Sequence, residues 1–428
     1  MTNAYSGRKA TGTCDLLITH VHIATMDPSI NAHSENTAGS YGEISDGAVV
    51  IDQGVIQWVG SAESIPSALQ PKEVINGHGQ WLMPGLIDCH THLIYAGDRS
   101  TEFEQRLEGK SYSDIAKQGG GIMSTVNATR RCSLDHLIDQ SRPRLEALLR
   151  EGVTTLEIKS GYGLNLETEL KILRAARELE QQYPVRIEKT FLGAHTLPPE
   201  FSGQADAYIK HVCEEMLPVI AEEGLATAVD VFCENIAFNV SQTEKVFQCA
   251  KSLGLHVKLH AEQLSDSQGT QLATAYEALS VDHLEYLSEE GVKALENSTT
   301  VATLLPGAFY FLKESQLPPV EKLRASGIPM ALATDLNPGT SPFTSLRLMM
   351  NMACTLFGLT PSEALAGVTR QSARALGLHH QVGMIKTGYQ ADLTLWPIQS
   401  PASLAASLTG ERPSLTFYQG KVRSSSAY

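Results

Sequence analysis

The stretch Leu82-Met-Pro-Gly-Leu-Ile-Asp-Cys-His-Thr-His92 decides how the chain reads. Leu86-Ile87-Asp88 is a short apolar strand, and two histidines follow it at positions i and i+2. Residues two apart on a strand face the same side, so His90 and His92 can reach one ion. Alone the pair says little. With 14 histidines in the chain, chance supplies an H-x-H in roughly every second chain of this make-up. The surroundings give it meaning.

Downstream, apolar runs of five to nine residues alternate with amphipathic segments of ten to sixteen. The runs cover residues 85–89, 153–159, 185–193, 228–233, 256–260, 280–284, 299–306 and 329–335. Helical patterns lie between most of them, for example 167–179 and 243–253. Regular β/α alternation with eight repeats predicts parallel strands, crossover helices and a TIM-like (β/α)8 barrel. A doubly wound sheet is the rival, and the polar residues decide against it. Barrel chemistry sits at the C-terminal ends of the strands, and those ends carry His90 and His92, Lys159, His195, Glu234, His260, His283 and Asp335. Three imidazoles and a carboxylate, His90, His92, His260 and Asp335, make an N/O site for one borderline divalent metal, Zn or Fe. A water on such a metal loses its proton near neutral pH.

The flanks read differently. Residues 16–22, 47–52 and 55–60 are short β-branched runs, with a polar loop at 28–42 between the first two. Residues 391–396 and 415–422 have the same texture, the last broken by a Gln419-Gly420 turn. The 428 residues include 47 acidic and 33 basic side chains, a net charge of −14. With no dense Lys/Arg run, neither nucleic acid nor an anionic membrane is an expected partner. At 42 % hydrophobic and 19 % charged, the chain is neither disordered nor fibrous. Seven cysteines, an odd number without a C-x-x-C pair, read as reduced thiols of a cytoplasmic protein. The first thirteen residues lack an apolar core, so no secretory signal is expected, and no run is long enough to span a membrane.

These residues resemble the amidohydrolase superfamily over nearly the whole chain. The 82–92 stretch resembles its first-strand signature. His260, His283 and Asp335 match its remaining ligand positions, and Val382-Gly-Met-Ile-Lys-Thr-Gly-Tyr-Gln-Ala-Asp-Leu393 resembles the return to its terminal β unit. The resemblance implies a small β-sandwich built from both chain ends, with domains at 1–80, 81–378 and 379–428. Four further motifs resemble one branch that opens an imidazolone ring bearing a propanoate tail, at a cyclic C–N bond. They are His92-Leu-Ile-Tyr-Ala-Gly-Asp-Arg99, Glu157-Ile-Lys-Ser-Gly-Tyr-Gly163, Phe191-Leu-Gly-Ala-His195 and Thr334-Asp-Leu-Asn-Pro-Gly-Thr340.

That branch implies a small-molecule substrate and a homodimer. It implies that Arg99 grips the tail carboxylate, helped by Tyr162, and that His195 bonds the ring carbonyl. Asn337, Gly339 and Thr340 would contact the product-like end. Gln263 stands three residues after His260, where many superfamily deaminases place a proton-shuttling Glu. A carboxamide cannot exchange protons, so Gln263 is assigned to substrate binding. Glu262 should face away. Proton transfer then falls to His283 or Asp335. The alternative reading is another mononuclear cyclic-amide hydrolase or deaminase acting on a carboxylate-bearing ring.

Overall fold

The computed structural model describes residues 12–30, 41–110 and 120–423. Most of the loop read at 28–42 lies outside them. In chain order the strands are β1 (Gly12–Ala24), β2 (Glu43–Asp52), β3 (Val55–Ser61), β4 (Leu69–Asn76), β5 (Trp81–Pro84), β6 (Leu86–Asp88), β7 (Val153–Lys159), β8 (Arg186–Ala194) and β9 (Ala228–Cys233). They continue as β10 (His256–Val257), β11 (Leu259–Ala261), β12 (Ser280–His283), β13 (Val301–Leu304), β14 (Met330–Leu332), β15 (Leu393–Trp396), β16 (Leu415–Tyr418) and β17 (Lys421–Arg423).

The chain ends share one mixed sheet in the order β17-β16-β15-β5-β1-β2-β3, with β4 also paired to β1. The long β1 holds this sheet together. It pairs with β4 along its first half and with β5 at His22 and Ile23. Between them it breaks register at His20, which has a left-handed φ of 52°. Leu16, Ile18, Ile23, Val49, Ile51, Leu82, Leu393, Leu395 and Phe417 meet in one apolar cluster. The β unit expected from both chain ends is thus present, as one mixed hydrogen-bonded sheet whose two chain halves contribute to one core. The expected turn is present, with Gln419 and Gly420 at φ 50° and 74°, the left-handed pair that a tight hairpin requires. Strand β4 escaped the sequence reading because its face is mostly exposed and carries Pro71, Lys72 and Glu73.

The other sheet runs β6-β7-β8-β9-β11-β12-β13-β14, with β10 preceding β11 beside β9. Its ladders from β8 to β14 are parallel. The ring closes just past β6 and β14: Thr91 bridges Leu336 in parallel, Asp335 N donates to His90 O at 3.0 Å, and His92 N donates to Leu336 O at 2.9 Å. Eight strand positions therefore form a closed barrel, as the alternation predicts. Two details differ. The strand at 256–260 is interrupted at Lys258, and the run at 299–306 ends early because Pro306 opens the helix Pro306–Leu312, the helical position that tolerates its missing N–H.

By contacts the chain divides into two compact units, one from Met1–Cys89, Leu148–Thr155 and Ser345–Tyr428, the other from His90–Ala147 and Leu156–Thr344. Every candidate site residue belongs to the second. All seven cysteines are free thiols. Among the described residues no helix is long and apolar enough to cross a membrane.

Candidate active site

The strand ends converge as their positions in the barrel require. His92 Nε2 lies 3.3 Å from His90 Nε2 and 3.4 Å from His260 Nε2. Asp335 Oδ1 is 3.4 Å from His90 Nε2 and 3.5 Å from His92 Nε2. His90 and His260 each face a carboxylate through Nδ1 and so turn a lone pair at Nε2 toward His92. Ligand atoms about 2.0–2.1 Å from a common tetrahedral centre stand about 3.4 Å apart, which is the spacing found. These four could therefore hold a divalent cation, and His90, His92 and Asp335 form one group whose ligand atoms lie within 4.8 Å of one another. His283 joins His90 and His260 in a second group of ligand atoms within 4.8 Å of one another.

Burial suits this use. It lowers the proton affinity of four imidazoles, pushing His195 and His283 down to about 3 and keeping His90 and His92 well below the ordinary value. Neutral nitrogens are what a metal needs. The Nδ1 atoms are aimed from behind by carboxylates: His90 Nδ1 to Asp282 Oδ2 at 2.6 Å, and His260 Nδ1 to Asp230 Oδ2 at 3.0 Å. Such partners fix the tautomer and orientation of a metal-binding histidine.

Beneath them lies a charge network that the sequence reading missed. Lys159 Nζ pairs with Asp230 at 2.6 Å and Glu157 at 3.0 Å, and stands 3.7 Å from Asp282. Lys258 pairs with Glu157 at 2.8 Å. All five side chains are fully buried. Burial favours the neutral amine of Lys159, but Asp230, Glu157 and Asp282 override it and hold the ammonium above its ordinary range. Lys258 stands at the break between β10 and β11; its side chain runs to Glu157 while its backbone N–H still donates to Val229 O at 2.9 Å.

A cavity of about 580 Å³ opens over the imidazoles and is lined by every candidate site residue except His90, which lies below. Arg99 occupies one end, held by Glu102 at 2.7 Å, with its Nε buried and unpartnered among the described residues. Gly339 packs against its guanidinium. A Cβ at Gly339 would lie 2.7 Å from Arg99 Nη1, so Gly339→Ala should push Arg99 aside at little cost in stability. The expected result is an unchanged melting temperature with a roughly 10–100-fold fall in kcat/KM, the scale of a misplaced binding group. Unaltered kinetics would remove Gly339 from the clamp.

Asn337 is occupied within its own turn. Its Oδ1 accepts from the backbone N–H groups of Gly339 and Thr340 at 2.9 and 2.8 Å, and its Nδ2 donates to Asp335 O at 2.7 Å. It shapes the loop that carries Gly339 and Thr340. Glu234 does the same for the segment holding Gln263, accepting from Leu264 N at 2.8 Å and Ser265 Oγ at 2.7 Å. Glu262 faces away and receives Gly269 N at 2.7 Å.

His195 stacks on His92, with ring centroids 5.2 Å apart at 15°, and Tyr162 closes over both at 5.6–5.8 Å. His195 Nδ1 lies 3.1 Å from Gly161 O. A carbonyl only accepts, so Nδ1 carries the proton, and the neutral ring turns a lone pair at Nε2 to the cavity. This geometry favours accepting a ring N–H over donating to a ring carbonyl, the role the resemblance implies. Gly161 permits the approach: its φ is 113°, and a Cβ there would sit 2.9 Å from Nδ1. Backbone strain marks the centre as well. His283 and Asp335 have φ of 86° and 51°, conformations that cost about 1–3 kcal/mol each and persist where the surroundings impose them.

A closed β/α barrel with imidazoles and a carboxylate at its strand ends defines a metal-dependent hydrolase. The amidohydrolase family model matches residues 81–423. Curated relatives named imidazolonepropionase include those of Vibrio campbellii, 55 % identical over 93 % of this chain and 96 % of theirs, and Ralstonia nicotianae, 56 % identical over 91 % and 94 %. Among solved structures, a zinc-bound adenosine deaminase from Xanthomonas campestris superposes with a TM-score of 0.67 at 18 % identity, covering 96 % of this chain and 93 % of that one. The chain belongs to the amidohydrolase family and, within it, to the imidazolonepropionases.

Proposed function

We propose that the chain hydrolyses 4-imidazolone-5-propanoate to N-formimidoyl-L-glutamate, a step of histidine degradation. The observation that carries this is the cavity's polarity: a buried three-imidazole, one-carboxylate centre on its floor and a cation, Arg99, at one end. A ring with an anionic tail matches both ends. The curated relatives' printed name supports the same substrate.

His90, His92, His260 and Asp335 would hold one divalent cation, Zn or Fe. Their borderline donor set suits either metal, and both ligand groups share His90. Lys159 is engaged by its carboxylates, which supports a single ion. When bound, the cation supplies Lewis acidity and a water that ionises near neutral pH. Arg99 takes the tail carboxylate and fixes the ring in the cavity. His195 Nε2 accepts a ring N–H, and Gln263 bonds the ring edge. The water oxygen adds to the ring carbonyl carbon, and the adjacent C–N bond breaks. That oxygen stays in the new carboxylate, while the leaving nitrogen takes a proton. Asp335 and His283 are the groups placed to take the water's proton and return it to that nitrogen; the Nδ1 of His283 is buried and unpartnered among the described residues. The same reading gives a cytoplasmic homodimer. Seven free thiols support a reducing compartment, and sedimentation velocity tests the dimer.

The direct test is mass spectrometry on freshly made substrate, with and without chelator. A gain of one water, abolished by chelation and restored by Zn or Fe, is expected. No turnover by verified metal-loaded protein would sink the substrate. Arg99→Ala should keep its metal and lose about 2–3 kcal/mol of substrate binding, the scale of an unpaired charge-assisted contact. An unchanged KM would rule out the clamp.

A further inference from the structure

Arg106 lies in the last turn of the helix Ser100–Leu107, seven residues after its N-cap Arg99. Its guanidinium sits over the rings of Phe311 and Phe103, 5.1 and 5.9 Å from their centroids, and those rings stack on each other at 5.1 Å. Its Nη2 makes a long 3.5 Å approach to Gly339 O. Gly339 is thus bracketed: Arg99 packs on its Cα side, where a Cβ would clash, and Arg106 reaches its carbonyl. Among the described residues no carboxylate pairs with Arg106, and Glu102 is spent on Arg99. Two guanidiniums share one acid at this end of the cavity. Burial, then Arg99, then Glu102 bear on the proton affinity of Arg106, so the two cations feel each other. Of the two acids that line the cavity, Asp335 belongs to the imidazole cluster and Glu314 bears on Glu285. In a chain of net charge −14, a local excess of one positive charge is unfavourable unless an anion completes it.

We propose that Arg106 is the second cation of the tail clamp, a positioning residue that acts through Gly339 and Arg99 and sets selectivity for an anionic tail. It does not line the cavity and does not touch the substrate. Its aromatic seat fixes its charge behind the glycine turn. That charge raises the potential at Arg99 and orients the turn on which Arg99 rests. The proposal rests on the substrate reading above for the identity of the tail.

The test uses two unreactive probes on metal-loaded protein, 3-(imidazol-4-yl)propanoate and its propanamide, with Kd measured by calorimetry. Arg106→Gln should weaken the propanoate about tenfold and the amide less than about twofold, as expected for losing one charge at intermediate range in a partly solvated site. Arg106→Lys keeps the charge and should recover most of the loss, which guards against a fold defect. In turnover, KM should rise in Arg106→Gln while kcat stays within about threefold. Equal weakening of both probes would make Arg106 merely structural, and no weakening of either would remove it from the clamp. Wild-type turnover of imidazolonepropanoate is scored separately. Its absence would overturn the substrate reading, while the ratio of the two Kd values would still decide the role of Arg106.

Discussion

A His92→Ala variant will purify without its metal and without turnover. His92 Nε2 lies within 3.3, 3.4 and 3.5 Å of the other three donors. Removing it leaves two imidazoles and a carboxylate with one side of the centre open. Loss of a carboxylate that merely orients a ligand costs about 10–100-fold in metal affinity, and loss of a ligand should exceed that. The fold should survive, because His92 lies past the end of β6 and its backbone N–H still closes the ring on Leu336. Metal content by atomic emission, activity and circular dichroism should therefore read near zero, background and wild type. Full metal content with normal turnover would overturn the ligand assignment.

Lys159→Met will lower the stability of the metal-free protein by about 3–5 kcal/mol, the cost of removing one partner from a buried ion pair. Methionine fills much of the same volume, so the loss is electrostatic. Glu157, Asp230 and Asp282 would face Lys258 alone. Asp230 is buried, which disfavours its charge, and His260 with Lys159 hold it ionised below the usual carboxylate range. Without the ammonium, Asp230 and Asp282 drift toward protonation and stop aiming His260 and His90, so metal affinity should fall as well. Denaturant titration of chelated protein separates the two effects. A midpoint equal to wild type would show that the network contributes nothing to the fold.

The barrel and the donor set were legible because each histidine lies at a strand end, where i, i+2 alternation fixes its side. Eight apolar runs were visible for the same reason. The network under the centre was not legible. Glu157, Asp230 and Asp282 sit inside strands buried on both faces, and Lys258 at the break between two short ones, where no apolar/polar alternation says which side a charge takes. Lys159 was noticed as a strand end, but nothing in its neighbours revealed three carboxylates from other strands. Glu102 and Arg106 were missed because Ser100–Leu107 is a single short amphipathic stretch whose partners, Gly339 and Phe311, lie far along the chain. The terminal sheet was half legible. Its apolar strands stood out, while β4, exposed and proline-bearing, did not.

The ring closure at Thr91 and Leu336 has a kinetic consequence. The bonds that join the first and last barrel strands alternate with the residues that coordinate: His90 lends its carbonyl and His92 its amide, while Asp335 is both bond donor and ligand. Such distant pairing forms late in folding, after the intervening loop entropy has been overcome. A partly synthesised or partly folded chain can offer two or three imidazoles but no completed centre. Metal capture therefore certifies that the last strand has docked. An ion held by these residues would act as a rivet across the seam, and chelation should then speed the opening of the barrel there before anywhere else.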